Sequence, residues 1–303
     1  MNGVLVVDKP EGITSNKVIH EVKRLLNTRK AGHNGTLDPF ATGVLPVFLN
    51  GATKAIPFVD DRYKIYEAEL TLGIETDTLD KTGKVISSKP INKLTNSEIF
   101  DVFKEFRGEI HQVPPMFSAL KHNGRRLYEI ARKGIIIDRE PRLVEIAELE
   151  LIKFDLPLIR FFVKCSKGTY IRSLAFDIAN KLGYGGHLSY LRRLQNGVFD
   201  LKDTVSMEDL IIGKIKLFSI ENVLKNLKTI DIGKELSAYI LNGKQISKID
   251  LLGYELPSFN VGEKLKVLNN SKIVSIVKAL VNSNDLGKLE DDRKVYKLLR
   301  VFN

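Results

Sequence analysis

The sequence contains one cysteine, no tryptophan and no long apolar run. The single Cys165 rules out an internal disulfide, as is usual for proteins of a reducing compartment. The first apolar run, residues 4–7, is too short for a secretory signal, and no run approaches the roughly 20 residues of a membrane span. We therefore expect a soluble, cytoplasmic protein that does not insert into a membrane.

Residues that bind metals and nucleotides are sparse and unfavourably spaced. The five histidines and Cys165 show none of the ligand spacings of a zinc site. The P-loop, the dinucleotide-binding glycine motif and the nucleophile-elbow motif are all absent from the sequence. We therefore expect no bound metal and no organic cofactor.

The chain does have an excess of basic residues. Lysine and arginine total 47 against 37 for aspartate and glutamate, which gives a net charge of +10. Such an excess favours a polyanionic partner, with nucleic acid first and an anionic membrane surface second. The alternative is a mildly basic protein without such a partner, because charge alone does not identify a ligand.

At 303 residues the chain is long enough for two domains. Residues 203–235 are charged and weakly patterned, so we predict a first domain at 1–230 and a small β-rich domain at 231–303. Apolar periodicity predicts the other elements. The predicted strands are 4–7, 63–72, 144–154, 159–165, 264–268, 273–277 and 294–301. Three helices are predicted: one begins after a Ser15 cap, one begins after a Thr95–Glu98 capping box, and one spans 170–182.

Residues 31–51 fit neither periodicity, and we predict an ordered loop with short elements. They are interrupted by Gly32, Gly35, Pro39, Gly43, Pro46 and Gly51. The stretch 32–35 also has the GXXG spacing of KH-type RNA-binding modules. A helix should follow that motif, however, and the later prolines and glycine oppose one.

Asp38 is the candidate reactive group of this loop. Pro39 disfavours helical backbone at Asp38, and the neighbouring glycines allow a ligand to approach closely. An isolated Asp-Pro pair is usually only a turn, so the dipeptide alone does not establish a site.

The segment as a whole resembles a known catalytic loop. Residues 32–46 read Gly-His-Asn-Gly-Thr-Leu-Asp-Pro-Phe-Ala-Thr-Gly-Val-Leu-Pro, and they resemble the loop with the essential aspartate in TruB-type tRNA pseudouridine-55 synthases. Further stretches resemble family motifs in the expected order, at 9–15, 64–68, 112–128, 165–172 and 190–194. The resemblance covers about residues 3–200, and 235–303 only loosely resembles a PUA-type RNA-binding domain. Asn34 and Phe40 depart from the commoner family residues without removing a group that the chemistry needs.

The resemblance implies an enzyme that converts uridine 55, in the T-arm of tRNA, to pseudouridine. The uracil is detached from the ribose, rotated and rejoined through carbon, which needs a carboxylate and a sheltered pocket but no metal or redox cofactor. The implied fold is α/β (α+β), with a mixed, largely antiparallel sheet, an RNA-binding cleft covered by residues 111–142, and a PUA-like C-terminal domain. The expected partner is tRNA, and the expected state is a monomer without an obligate protein partner.

By the same resemblance, three residues are catalytic. Asp38 acts as a nucleophile toward either the sugar or the base, and the sequence leaves both routes open. Arg172 is expected to pair with Asp38 and lower its pKa by about 1–3 units, although by itself it reads as a solvated helix arginine. Tyr66 is expected to stack on the target base with its hydroxyl near C2′, although core packing alone fits its strand pattern.

Other matched residues are expected to bind the substrate. His33 would fill the space left by a flipped-out uridine, and Leu191 would form an apolar pocket wall; a structural histidine and a helix-core leucine are the plainer alternatives. Lys9 and Pro10 are expected to support the loop, with RNA contact as a second role. Phosphate contacts are expected from Lys121, Arg125, Arg126, Arg132 and Lys133, for which a solvated basic face is the alternative.

Two other functions fit the same motifs. A synthase guided by RNA and partner proteins shares the aspartate loop but lacks the covering segment, which is present here at 111–133. A non-catalytic RNA-binding or RNA-folding protein would be expected to have lost Asp38, Tyr66 or Arg172, and all three are present.

Overall fold

The computed structural model describes residues 1–302 and contains two main β-sheets with helices packed beside them. The strands are β1 (Gly3–Lys9), β2 (Ala31–His33), β3 (Thr42–Leu49), β4 (Tyr63–Leu72), β5 (Ile74–Thr76), β6 (Val85–Ser88), β7 (Gly108–Gln112), β8 (Lys121–His122), β9 (Arg125–Arg126), β10 (Arg142–Asp155), β11 (Leu158–Ser166), β12 (Gly186–Asn196), β13 (Phe199–Asp200), β14 (Leu217–Phe218), β15 (Lys228–Asp231), β16 (Ile246–Ser247), β17 (Lys264–Asn269), β18 (Lys272–Ala279) and β19 (Lys294–Val301). The α-helices are α1 (Ser15–Leu25), α2 (Asn96–Glu105), α3 (Leu127–Ala131), α4 (Ile171–Lys181), α5 (Met207–Ile211), α6 (Ile220–Val223) and α7 (Lys234–Leu241). Shorter 3-10 helices lie at Asn50–Phe58, Leu201–Asp203, Ile249–Leu251 and Ser283–Lys288.

The larger sheet has ten strands within residues 1–302, in the order β14-β1-β3-β12-β4-β11-β10-β7, with β2 beside β3 and β13 beside β12. Of these pairs, β3 with β12 is parallel and the others are antiparallel. The sheet is therefore mixed and largely antiparallel, and the predicted fold class is confirmed.

Alternation along β4 explains how the sheet forms its core. Tyr66, Ala68, Leu70 and Leu72 are buried on one face, as their spacing predicts. The apolar sides of α2 and α4 pack against this face in one continuous cluster. The Thr95–Glu98 capping box is present at the start of α2, and the predicted helix at 170–182 is confirmed by α4.

Two local predictions are wrong. The N-cap of α1 is Thr14, whose side chain accepts from the Lys17 amide, while Ser15 is the first helical residue. The segment 31–51 is not mainly loop, because β3 continues from Thr42 through Pro46 to Leu49. Strand β1 pairs with β3 from Gly43 to Leu49, and its close packing outweighs the low strand propensity of glycine and proline.

The smaller sheet is built from residues 228–301 in the order β15-β17-β18-β19-β16. Strands β17, β18 and β19 confirm the three strands predicted near the end of the chain. This sheet has its own apolar cluster, and Ile276 also packs into a cluster with Val4 and Phe48 of the larger sheet. Among the helices of residues 1–302, none combines the length and the apolar character needed to cross a bilayer.

Candidate active site

The Asp38 loop, residues 34–41, is held by donors to each of its carbonyl oxygens from 34 to 39. Ser15 Oγ lies 3.0 Å from Leu37 O and accepts from Leu37 N at 2.9 Å. The Ala41 amide donates to Asp38 O at 3.1 Å. The remaining donors are Asn196 Nδ2 to Asn34 O, Arg193 Nη2 to Gly35 O, Arg193 Nη1 to Thr36 O, and both Gly12 N and Lys9 Nζ to Pro39 O. The backbone beneath Asp38 is therefore fixed before any substrate arrives.

Lys9 is one of these tethers and has no exposed surface. Its ammonium donates to the carbonyls of Pro10 at 2.8 Å, Ile13 at 2.7 Å and Pro39 at 3.1 Å. Burial lowers the pKa of Lys9 to about 8, with Asp38 opposing the shift. Lys9 therefore tethers the loop through its ammonium, and its lack of exposed surface argues against direct contact with RNA.

Arg172 forms an ion pair with Asp38 through two of its nitrogens. Its Nε lies 2.9 Å from Asp38 Oδ2 and its Nη2 lies 3.1 Å from Asp38 Oδ1, a bidentate arrangement. The arginine side chain is 5% exposed, whereas that of Asp38 is 33% exposed. The carboxylate is thus accessible to a ligand while its counter-ion is not, which excludes the reading of Arg172 as a solvated helix residue.

A second carboxylate, Asp80, lies behind Arg172, and no sequence motif indicates it. Asp80 Oδ2 lies 3.3 Å from Arg172 Nη1, and the side chain is 5% exposed. Thr78 Oγ1 and the Thr82 amide also donate to Asp80, at 2.8 and 3.0 Å. Arg172 additionally donates to the carbonyl of Thr78, so the turn that follows β5 fixes the guanidinium from behind.

Burial raises the pKa of the Asp38 carboxyl, and Arg172 opposes the increase. Asp80 adds to the increase because a second negative charge disfavours ionisation of the first. The contribution of Arg172 is therefore in the expected direction, but desolvation by burial outweighs the ion pair and the net shift of the Asp38 pKa is upward.

Tyr66 and Leu191 lie on the same face of the sheet as the loop, in the cluster that also contains Leu37 and Phe40. They are 7% and 5% exposed. Leu191 is part of β12, so the helix-core alternative for it is wrong. Burial raises the pKa of Tyr66 to about 12, with the nearby Arg193 opposing the shift, so the phenol is neutral near pH 7.

His33 ends β2 and is partly exposed. Its Nδ1 is buried and has no hydrogen-bond partner among residues 1–302. Burial lowers the pKa of His33, with Arg193 contributing in the same direction. The imidazole is therefore neutral near pH 7, which suits a ring that packs against bases.

The covering segment, residues 111–142, is attached to the Asp38 site at its base. Phe117 O accepts from Arg172 Nη2 at 2.8 Å, and Ser173 Oγ donates to Val113 O at 3.0 Å. The segment continues through the β8–β9 hairpin into α3. Its five predicted phosphate-binding side chains are all exposed: Lys121, Arg125, Arg126, Arg132 and Lys133.

Within residues 1–302 no cluster of three or more histidine, cysteine, aspartate or glutamate side chains could hold a metal ion. The functional groups at the site are the Asp38 carboxylate, the buried guanidinium of Arg172 and the neutral phenol of Tyr66.

Two family models match the chain: the N-terminal domain of TruB family pseudouridylate synthases at residues 23–171 and the C-terminal domain of tRNA pseudouridylate synthase B at 172–218. A tRNA pseudouridine synthase B of Clostridium tetani is 41% identical over 278 residues, which cover 91% of this chain and 95% of the relative. One of Geobacter sulfurreducens is 40% identical and covers 100% of both chains. The chain belongs to the TruB family of pseudouridylate synthases.

Solved structures share the fold of this TruB-family chain. A chain of the crystal structure of a Cbf5–Nop10–Gar1 complex superposes with a TM-score of 0.75 and 26% identity, over 99% of this chain and 85% of that one. A chain of the archaeal box H/ACA sRNP Nop10–Cbf5 complex gives a TM-score of 0.74 and 26% identity, over 100% and 86%. Because the coverage is nearly complete, the similarity includes both sheets.

Proposed function

We propose that this TruB-family protein isomerises a uridine of tRNA to pseudouridine, and that the uridine is position 55 in the T-arm. The observation that carries the proposal is the Asp38 carboxylate, one-third exposed on a fully tethered loop and bound in bidentate fashion by Arg172. The chain is also 41% identical to a protein named tRNA pseudouridine synthase B, and the alignment covers 91% of this chain.

Each side chain of the site has a definite part in this proposal. Asp38 is the nucleophile toward the sugar or the base, and Arg172 orients it and offsets its charge in a sheltered site. Tyr66 and Leu191 form the wall against which the detached uracil is held, and the neutral phenol of Tyr66 can donate or accept a hydrogen bond there. The site thus provides a nucleophile, its counter-ion and a pocket wall, which are the groups required to break and re-form the bond between the uracil and the ribose.

The RNA is bound by three parts of the chain in this proposal. The exposed basic side chains of the covering segment contact phosphates, and His33 occupies the space of the flipped nucleotide. Residues 231–303 form a PUA-like RNA-binding domain that follows a catalytic domain at 1–230. A tRNA substrate and a lone, buried Cys165 are both consistent with the cytoplasm as its compartment.

The protein acts alone in this proposal, as a monomer and without an obligate partner. The similarity to a chain of the Cbf5–Nop10–Gar1 complex favours the alternative, a synthase guided by RNA and partner proteins. Two observations support the stand-alone form: identity of 40% over the full length with a protein named tRNA pseudouridine synthase B, and the basic segment attached over Arg172.

The test is to incubate the purified chain with unmodified tRNA and to map pseudouridine by carbodiimide treatment and reverse transcription. A chemical readout is needed because substrate and product have equal mass. A stop that maps pseudouridine to position 55, without guide RNA or added protein, is the expected result. Product that forms only after a guide RNA and partner proteins are added would establish an RNA-guided synthase. Binding of tRNA without any product would indicate a non-catalytic RNA-binding protein.

Replacing Arg125 and Arg126 together with alanine is expected to weaken tRNA binding and to reduce its dependence on salt. Both side chains are exposed on β9, so their loss removes up to two phosphate contacts and reduces the slope of log K against log salt by about 2. Filter binding between 50 and 200 mM salt measures the slope. The matched control replaces Lys104 and Lys153, exposed lysines outside the covering segment. An unchanged slope in the double-arginine variant would exclude the hairpin from the phosphate footprint.

A further inference from the structure

Arg193 is a completely buried arginine without an acidic partner. Its side chain lies on β12 beside Tyr66 of β4, and its residue exposure is 0%. No carboxylate of residues 1–302 forms an ion pair with it, and the one group that raises its pKa is the Tyr66 hydroxyl. Burial lowers the pKa of Arg193 overall. Burying a guanidinium without a counter-charge is costly, so its retention calls for a specific role.

The contacts of Arg193 converge on the catalytic loop. Nη2 donates to Gly35 O at 3.0 Å, Nη1 to Thr36 O at 3.4 Å and Nε to Val44 O at 2.7 Å. These acceptors bracket Asp38 on both sides in the sequence. The planar guanidinium therefore fixes the entry to the loop and its exit into β3 with one rigid group.

Arg193 also lies beside Tyr66, its partner across the β12–β4 strand pair. Each of the two groups shifts the pKa of the other, so they are close enough to interact electrostatically. Arg193 therefore links the backbone of the Asp38 loop to the strand that carries Tyr66.

The backbone around Arg193 is packed to keep this geometry. A side chain at Gly43 would collide with the Arg193 carbonyl oxygen, and Gly43 has a φ of +103°, so glycine allows β3 to lie against β12 here. The preceding residue, Arg192, lies on the other face, where it pairs with Asp8 and is 28% exposed. Only the buried member of this arginine pair faces the site.

Building on the proposed function, we propose that Arg193 is a positioning residue for the isomerisation, which holds the Asp38 loop in a fixed position relative to the strand that carries Tyr66. It does not contact RNA, because no part of it is exposed. It acts through the loop carbonyls, so its loss should lower the rate of the chemical step more than the affinity for tRNA.

The test compares Arg193→Lys and Arg193→Met with Arg192→Lys as the matched control. Lysine keeps the positive charge but lacks the planar guanidinium that donates to three carbonyl oxygens at once, and methionine removes the charge. Single-turnover pseudouridine formation, the Kd for tRNA and the hydrogen exchange of peptides covering 34–41 are measured for each. For Arg193→Lys we expect a rate about 100-fold lower, a Kd within about threefold of wild type, and faster exchange confined to the loop. Arg192→Lys should keep all three values within about threefold.

A rate within threefold of wild type in Arg193→Lys would overturn the proposal. So would a parallel loss of rate, affinity and exchange protection throughout the chain, since that would mean general support of the fold. If Arg193→Lys does not fold, the same criteria apply to Arg193→Met, and global unfolding of both would also overturn it. If the wild-type chain makes no pseudouridine, the proposed function fails, while loop exchange still tests whether Arg193 fixes the loop.

Discussion

Replacing Asp38 with asparagine is expected to lower pseudouridine formation by about 10⁴-fold or more while tRNA still binds, because the amide keeps the shape but cannot act as a nucleophile. Arg172 keeps its bonds to Asp80, Thr78 and Phe117, so the pocket should remain assembled. Single-turnover product formation and the Kd for tRNA are the measurements. The Kd should stay within about threefold of wild type, since the substitution removes one negative charge from an RNA-binding cleft and adds no bulk.

The stability of this variant should differ from wild type in a pH-dependent way. Burial raises the pKa of Asp38 above its ordinary value of 3.8, so the folded state takes up a proton at higher pH than the unfolded chain. The ionised carboxylate therefore disfavours folding, and this penalty is relieved as the pH falls through the folded-state pKa. Relative to Asp38→Asn, the wild-type protein should gain thermal stability as the pH is lowered from 7 toward 4.

The matched control is Asp101→Asn, at a side chain 65% exposed on α2. It should retain full activity, and the comparison of melting temperatures is repeated with it. Turnover of the Asp38→Asn protein at more than one-hundredth of the wild-type rate would contradict a catalytic role for Asp38. Loss of tRNA binding together with activity would instead mean that Asp38 maintains the cleft.

The sequence predicts well those parts of the fold in which one periodicity dominates. The alternation from Tyr63 to Leu72 identifies β4 because one face is buried throughout, and the Thr95–Glu98 box identifies the start of α2. Strand β3 was missed because Gly43 and Pro46 are read as breakers, while their acceptance depends on the neighbours β1 and β12, which are far away in sequence. Non-local pairing of this kind leaves no local signal.

The candidate site was predictable only where a motif resemblance exists. Asp38, Tyr66 and Arg172 were named on that basis, and the structure brings their elements together. Asp80 was missed because its turn reads as an ordinary polar loop, and its proximity to Arg172 depends on a contact across 92 positions. The net upward shift of the Asp38 pKa is likewise not predictable from the motif, because desolvation depends on packing that a motif does not describe.

Replacing Arg172 with methionine is expected to cost about 3–5 kcal/mol of stability and to abolish product formation. The change leaves Asp80, with a side chain only 5% exposed, and the Asp38 carboxylate without their shared cation. Chemical denaturation and the single-turnover rate are the measurements. Arg160→Met is the control, because Arg160 is 36% exposed in its ion pair with Glu67 on the opposite face of the sheet. That pair should contribute no more than about 1 kcal/mol.

Arg172→Lys separates charge from geometry at the same position. A single ammonium cannot bind both oxygens of Asp38 while bonding to Asp80. The lysine therefore lowers the pKa of Asp38 less than Arg172 does. The pKa of Asp38 should therefore rise further, with Lys9 still opposing the increase. The acid side of the rate profile should move to higher pH, so that raising the pH recovers part of the lost rate. If Arg172→Lys lowers the rate by the same factor at every pH, Arg172 acts by orienting Asp38 and makes no difference to its ionisation.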